Sequence, residues 1–398
     1  MVKDPTADAR LARLEQYLRE DPNNLPLLDE AYQTACAAGE WERARFHLRH
    51  AAALGVTGPA VEFKESRIDL ALHNWAAASE RLEALLAAGG LSVEADEAIT
   101  HDLAYAAFRQ GDLARARDAL APRLSSLTAP SAPAALQVLW LRVLHHSGDL
   151  DGAVAWARER MAAHTLATEA AGVASLAALD LGQLDMARAW AVAALGENDQ
   201  RLEPLVTMGT VALAERNAAR AEGLLRQALA VHAEDGRAWS ALGFVHLLEM
   251  QFDDALFDFH RAVQNMPGHV GTWNGLGWTN IVRRDIGAAE NAFARAVELD
   301  RNFGESHGGL AVAYAMQGKR EAAEASISRA NGLDKGNLAS HYAQAILNGD
   351  ARDGETIRRL AMRLLARREG PAGGSMADWI QPVVAVTVDG ASGDSGAQ

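Results

Sequence analysis

Apolar and small side chains recur at helical spacing across residues 235–267. Trp239, Leu242, Gly243 and His246 fall on one face of a first helix, Ala255, Phe259 and Ala262 on one face of a second, and Pro267 closes the pair. Thirty-four residues further on, Trp273, Leu276, Gly277, Ala289, Phe293 and Ala296 repeat the spacing. A fixed period of this length predicts stacked helical hairpins, each burying its apolar face against its neighbours.

The small residue that opens each second helix stands at Ala44, Ala78, Ala116, Ala153, Ala187, Ala221, Ala255, Ala289 and Ala323, which predicts nine hairpins, the last six in steps of 34 residues. Packing distance explains the alanines. Two helices approach closely when small side chains face each other at the crossing and one large residue fills the remaining volume. Extra residues enter near Ala88-Gly89-Gly90 and at Thr128 to Pro133, both rich in turn formers, so loops should absorb them. Inside the hairpins the turns read Gly39-Glu40-Trp41, Gly111-Asp112-Leu113, Gly148-Asp149-Leu150, Gly182-Gln183-Leu184 and Gly318-Lys319-Arg320, with glycine free to take the left-handed conformation that ends a helix. Elsewhere Asn74, Arg216, Met250 and Arg284 lie at or near that turn.

These residues resemble the tetratricopeptide repeat, whose consensus places a Trp, a Leu-Gly pair, a Tyr, and then Ala, Phe, Ala and Pro at the same spacings. The resemblance implies an all-α fold, a right-handed α-solenoid of tandem helix-turn-helix repeats. It divides the chain into a capping half repeat at residues 1–24, built on Leu11, Leu14 and Leu18; nine repeats at 25–337; a degenerate helical pair at 338–370; and a flexible tail at 371–398. The second helix of the degenerate pair carries Arg358, Arg359, Arg363, Arg367 and Arg368, a polar outer face of the kind a terminal element needs. The tail holds one apolar segment, Trp379 to Val386, expected either to fold back on the array or to meet a partner.

Composition narrows the function. The 398-residue chain carries a formal net charge of −14 and a pI near 5.4, which argues against general affinity for nucleic acid or anionic lipid. The single cysteine, Cys36, leaves no intramolecular disulfide and no zinc site built from several thiolates. Charges begin at the third residue, and no run approaches the ~18 apolar residues of a membrane span, so a cytoplasmic location is expected.

In the family the first helix of each pair lines the concave surface, and the resemblance therefore implies which side chains a partner would meet: Arg67, His101, Tyr105, Arg142 and His145, then Phe244, Asn274 and Trp278. A subgroup clamps a peptide's C-terminal carboxylate with Lys, Asn and Arg on consecutive first helices. Here only Asn274 is of that type, with Ser240, Val206 and Gly308 in neighbouring places, so a mixed or apolar peptide surface is the better expectation.

Other motifs give way to plainer readings. The adjacent His145 and His146 point about 100° apart on a helix, and no HExxH motif exists, so neither a metal nor another cofactor is expected. Gly393-Asp394-Ser395-Gly396 resembles a serine-protease nucleophile loop but lies in an otherwise helical chain. Gly271, Gly275 and Gly277 follow no strand, so they are not a phosphate loop. His47, His50, Arg43 and Arg49 fall on an outward, solvated face, and Trp140, Trp156 and Trp190 pack between units. Together these observations predict a non-enzymatic scaffold or adaptor for a protein or peptide, of undetermined oligomeric state. The alternative is a non-catalytic accessory subunit that docks on a separate enzyme, such as a transferase, and helps select its substrates. A catalytic cluster of His101, Tyr105, Arg142 and His145 is a third, weaker possibility.

Overall fold

The computed structural model describes residues 5–124, 132–196 and 200–349. Capping side chains start many of its helices, because the first backbone N–H groups of a helix lack partners within it. Asn24 accepts from the Leu27 N–H, Ser92 from Ala95, Asp149 from Gly152, Asp235 from Ala238 and Asn337 from Ser340.

The helices run α1 (Pro5–Glu20), α2 (Leu25–Ala38), α3 (Trp41–Ala53), α4 (Pro59–Ala71), α5 (Trp75–Ala88), α6 (Val93–Arg109), α7 (Leu113–Leu124), α8 (Ala134–His146), α9 (Leu150–Ala162) and α10 (Thr168–Asp180). They continue α11 (Leu184–Leu195), α12 (Leu202–Ala214), α13 (Ala218–Val231), α14 (Gly236–Leu248), α15 (Phe252–Asn265), α16 (Val270–Val282), α17 (Ile286–Leu299), α18 (Gly304–Met316), α19 (Arg320–Leu333) and α20 (Leu338–Asn348). No strand occurs among the described residues. The fold is all-α, of the tandem-hairpin solenoid class. Two units divide the chain, residues 1–173 and 174–398, with the division inside α10. The expected helix at 356–368 with its arginines, the tail at 371–398 and most of the insertion after Leu124 lie outside the described residues.

In the first unit α1 packs on α2, burying Leu11, Leu14 and Leu18 with Leu28, Ala31, Ala44 and Ile68. This contact corrects the reading of α3. His47, expected on a solvated face, is 2% exposed, and its Nε2–H donates to Glu15 Oε1 at 3.2 Å. Arg43 forms a bidentate pair with the same carboxylate, at 2.9 and 2.6 Å. The outward face of α3 is polar because α1 covers it with an acid; helical periodicity alone does not distinguish a paired polar face from a wet one. Further along this unit Trp140 and Trp156 are buried against each other, as packing residues should be, and the Trp156 Nε1 donates to Leu124 O at 2.9 Å.

In the second unit the nine-hairpin alanines at 187, 221, 255, 289 and 323 are fully buried. First helices of successive hairpins adjoin one another, α12 to α14 to α16 to α18 to α20. Phe259 and Phe293 fill the volume between them, each seated on glycines of two consecutive first helices. A Cβ at Gly243 would lie 2.8 Å from the Phe259 ring and one at Gly275 would lie 2.5 Å from it; Gly277 and Gly309 stand in the same relation to Phe293. Polar pairs cross the same seam. Ser175 bonds Thr207 at 2.9 Å, Ser240 bonds Thr272 at 2.8 Å, and the Asn274 Nδ2 donates to Ser306 Oγ at 3.0 Å.

Every hairpin turn places one residue in the left-handed region, five positions before the buried alanine. Glycine serves at Gly39, Gly111, Gly148, Gly182 and Gly318, whereas His73, Arg216, Met250 and Arg284 adopt it with φ near 60°. The expectation at Asn74 shifts by one residue, to His73.

Candidate functional site

The helices of the first three hairpins converge on a cavity of about 670 Å³ within the first unit. From α2 come Tyr32, Gln33 and Cys36; from α4 come Arg67, Ile68, Leu70 and Ala71; from α6 come His101, Asp102, Tyr105 and Arg109. Trp41 and Trp75, which open α3 and α5, and the turn residue His73 complete the lining. Gln33, Arg67 and Tyr105 occupy the same repeat position, eleven residues before Ala44, Ala78 and Ala116 respectively, so the helical period itself aims one side chain per hairpin into the space.

Aromatic contacts order one wall. His73 stacks on Trp75 with centroids 5.0 Å apart and planes 14° apart, Trp75 meets Tyr105 edge-on at 6.1 Å, and Tyr105 lies parallel to His101 at 6.2 Å. The Arg109 guanidinium sits 5.1 Å from the Trp75 centroid and 5.8 Å from that of Tyr105, and its Nη1 donates to Tyr105 Oη at 2.9 Å. Such cation–π contacts fix an arginine while leaving most of its donors open. His101 Nδ1–H donates to Asp102 Oδ1 at 3.0 Å, while the other Asp102 oxygen lies 3.9 Å from Arg67 Nε. Tyr32 bonds Cys36, and burial pushes both the phenol and the thiol up, so both stay protonated at neutral pH. A thiol in that state is a poor nucleophile.

The sequence-expected residues separate into groups. Arg67, His101 and Tyr105 line the cavity. Arg142 and His145 stand on α8, the first helix of the next hairpin, Arg142 exposed and His145 half-buried; neither lines the cavity. In the second unit Phe244 and Trp278 hold equivalent positions, one repeat apart. Each packs edge-on against a core ring, Phe244 on Phe259 at 5.0 Å and Trp278 on Phe293 at 5.3 Å. Asn274 corrects an expectation: it is 5% exposed and spends its amide on Ser306, so it presents almost nothing to a partner. Asn274 falls on the face packed against α18 instead of on the lining face.

Sequence reasoning passed over Tyr32, Trp41, Trp75 and Arg109. A signal for two of them exists, since Trp41 and Trp75 occupy the same position just after the turn, where later hairpins carry Leu113, Leu150 and Leu184. One further buried titratable pair lies in the second unit. His246 Nδ1–H donates to Asp258 Oδ2 at 2.6 Å, and burial raises the Asp258 carboxyl above the usual carboxylate range. Among the described residues no group of three His, Cys, Asp or Glu side chains could hold a metal ion, and no helix is long and apolar enough to cross a membrane.

Hairpins in steps of 34 residues from Ala153 onward, with Trp-x-x-Leu-Gly at 239–243 and 273–277 and Ala-x-x-x-Phe-x-x-Ala at 255–262 and 289–296, make this chain a tandem helical-hairpin array whose pattern resembles the tetratricopeptide repeat. No protein-family model matches it, and no curated protein does. Solved structures to which it is similar include YrrB, described as a TPR protein with an unusual peptide-binding site, at 19% identity over 50% of this chain and 97% of that one, with a TM-score of 0.36. MamA is similar at 16% identity over 40% of this chain and 94% of that one, with a TM-score of 0.35. A tetratricopeptide repeat protein from Parabacteroides merdae matches at 16% identity over 64% of this chain and 98% of that one, with a TM-score of 0.42.

Proposed function

We propose that this chain is a non-catalytic interaction scaffold that holds a peptide or protein segment in the cavity of its first unit. The observation that carries the reading is the lining: Tyr32, Trp41, Trp75 and Tyr105 supply rigid apolar surface, and Arg67, His101 and Arg109 supply oriented polar groups. Rigid aromatics with arginine are the residues that dominate binding energy at protein interfaces, because they bury large area with little ordering cost. Arg67, His101 and Tyr105 act as partner contacts, with Arg142 and His145 extending the surface on α8. Phe244, Asn274 and Trp278 serve packing in the second unit instead.

Panning a library of displayed dodecapeptides against the full chain tests this reading. Enriched peptides should bind the wild-type protein and lose affinity at least tenfold on Tyr105→Ala, while circular dichroism remains unchanged. Failure to enrich any peptide, or enrichment of peptides indifferent to both Tyr105→Ala and Arg67→Ala, would overturn it.

A further inference from the structure

We infer that the occupant of this cavity is an acidic segment of a partner protein, whose carboxylates meet Arg67 and Arg109 and whose apolar side chain lies among Tyr32, Trp41 and Trp75. The inference rests on the peptide-binding reading and adds the chemistry of the ligand. Its basis is a departure from the way several other cations of the first unit are paired.

Elsewhere in the first unit several basic side chains are neutralised at close range. Lys64 donates to Asp29 at 2.6 Å, Arg45 to Asp69 at 2.5 Å, Arg43 to Glu15 at 2.6 Å, Arg81 to Glu62 at 2.7 Å and Arg115 to Glu83 at 2.5 Å. Arg67 and Arg109 differ. The nearest carboxylate to Arg67 is Asp102 at 3.9 Å, beyond hydrogen-bond reach, and that acid is already engaged by His101. Arg109 is held by the faces of two aromatic rings and one phenol oxygen, all neutral. Carboxylates are not scarce in this chain, which carries 52 acidic residues against 38 lysines and arginines. Two arginines left open on the walls of one cavity, in a protein with surplus acid, make a local positive site that an external anion would complete.

A polypeptide fits this site better than a nucleic acid. The net charge of −14 opposes any anion at range and opposes a long polyphosphate most, whereas a short acidic segment carries fewer charges, meets the two arginines at close range and places an apolar residue on the aromatic wall. The carboxylates required are those of side chains, since nothing in the lining is specific to a chain terminus.

Isothermal titration of the full chain with three end-blocked decapeptides tests the inference. The first is acetyl-Gly-Asp-Glu-Leu-Asp-Trp-Glu-Asp-Leu-Gly-amide; the second replaces every acid by its amide; the third replaces every acid by lysine. The acidic peptide should bind at least tenfold more tightly than the amide peptide, the lysine peptide should not bind, and the preference should shrink as salt rises. The double variant Arg67→Gln with Arg109→Gln should remove the preference, bringing the ratio of acidic-peptide to amide-peptide affinity, both measured on that variant, close to one. A ratio that stays at tenfold or more would overturn the assignment of the two arginines, and an unchanged circular dichroism spectrum shows that the variant is still folded. Equal binding of acidic and amide peptides, both lost on Tyr105→Ala, would overturn the acidic assignment and leave the peptide-binding reading standing. Absence of binding by all three peptides, together with a failed library selection, would remove both. Tighter binding of single-stranded RNA, or of a peptide comprising residues 376–391 of this chain, would equally overturn an acidic partner segment as the occupant.

Discussion

The indole Nε1 of Trp273 donates to the carbonyl of Pro267 at 2.8 Å, across the turn that joins α15 to α16. Trp239 makes the same bond to Ala233 O at 2.8 Å, and His307 uses its Nε2–H on Arg301 O at 3.0 Å, so the contact recurs with the repeat. The ring therefore fixes the turn between hairpins as well as packing on them. Trp273 is only half-buried, and its replacement by alanine should cost about 2 kcal/mol, below the ~3–5 kcal/mol of a fully buried aromatic. Trp273→Phe keeps most of the apolar contact and loses the hydrogen bond, which should cost about 1 kcal/mol. Urea unfolding followed by circular dichroism separates the two, and equal losses would show that the bond contributes nothing.

Gly277 lies beneath Phe293, where a Cβ would stand 2.6 Å from the ring, closer than real Cβ contacts come. Gly277→Ala should therefore destabilise by about 1–3 kcal/mol through overpacking, although alanine is the better helix former. Gly223 on α13 is the matched control, with open space where its Cβ would go. Gly223→Ala should stabilise by about 0.5–1 kcal/mol. Opposite signs for the two substitutions are the expected outcome; the same sign would mean that the Phe293 seat is slack.

The helical hairpins are legible because their signal is written nine times over, in small residues 34 to 38 apart, and in the Phe259 and Phe293 positions. The lining of the cavity was legible only in part. Arg67, His101 and Tyr105 lie on first helices, where the period marks them. Trp41 and Trp75 reach the same cavity from the start of second helices, and no single-helix pattern shows that two elements converge. Asn274 and His47 were misread for a related reason: a polar side chain on a helix reads as exposed unless the partner is known, and Ser306 and Glu15 are distant in sequence. Trp278 resembled a binding aromatic, but its edge-on contact with Phe293 means that Trp278→Ala should lower stability as well.

Acid should loosen the first three helices before the rest of that core. Hydrogen bonding from Arg43 holds the Glu15 carboxyl below its ordinary value, and burial holds the His47 imidazole below its ordinary value of 6.5. Neutral His47 is favoured by the fold, so stability falls as pH drops below 6.5 and the unfolded chain takes up a proton that the folded one resists. Ionised Glu15 is likewise favoured, and its contribution is lost as pH falls from 4.5 through the lower folded value. Both effects run in one direction. His47→Gln should flatten the dependence of the melting temperature on pH in the upper window, and Glu15→Gln in the lower one. Curves parallel to that of the wild type would show that neither group is linked to folding.

Arg284 turns the chain between α16 and α17 with φ of 62°, a conformation that its Cβ makes costly, while the equivalent Gly318 adopts φ of 73° without that cost. The Arg284 side chain is exposed, so its loss removes little packing. Relief of the backbone strain, set against the greater freedom glycine gives the unfolded chain, should make Arg284→Gly stabilising by about 0.5–1 kcal/mol. The reciprocal Gly318→Arg should destabilise by about 1 kcal/mol. Urea midpoints of the two variants decide the matter, and a loss of stability in Arg284→Gly would mean that the guanidinium holds the turn in a way its exposure does not show.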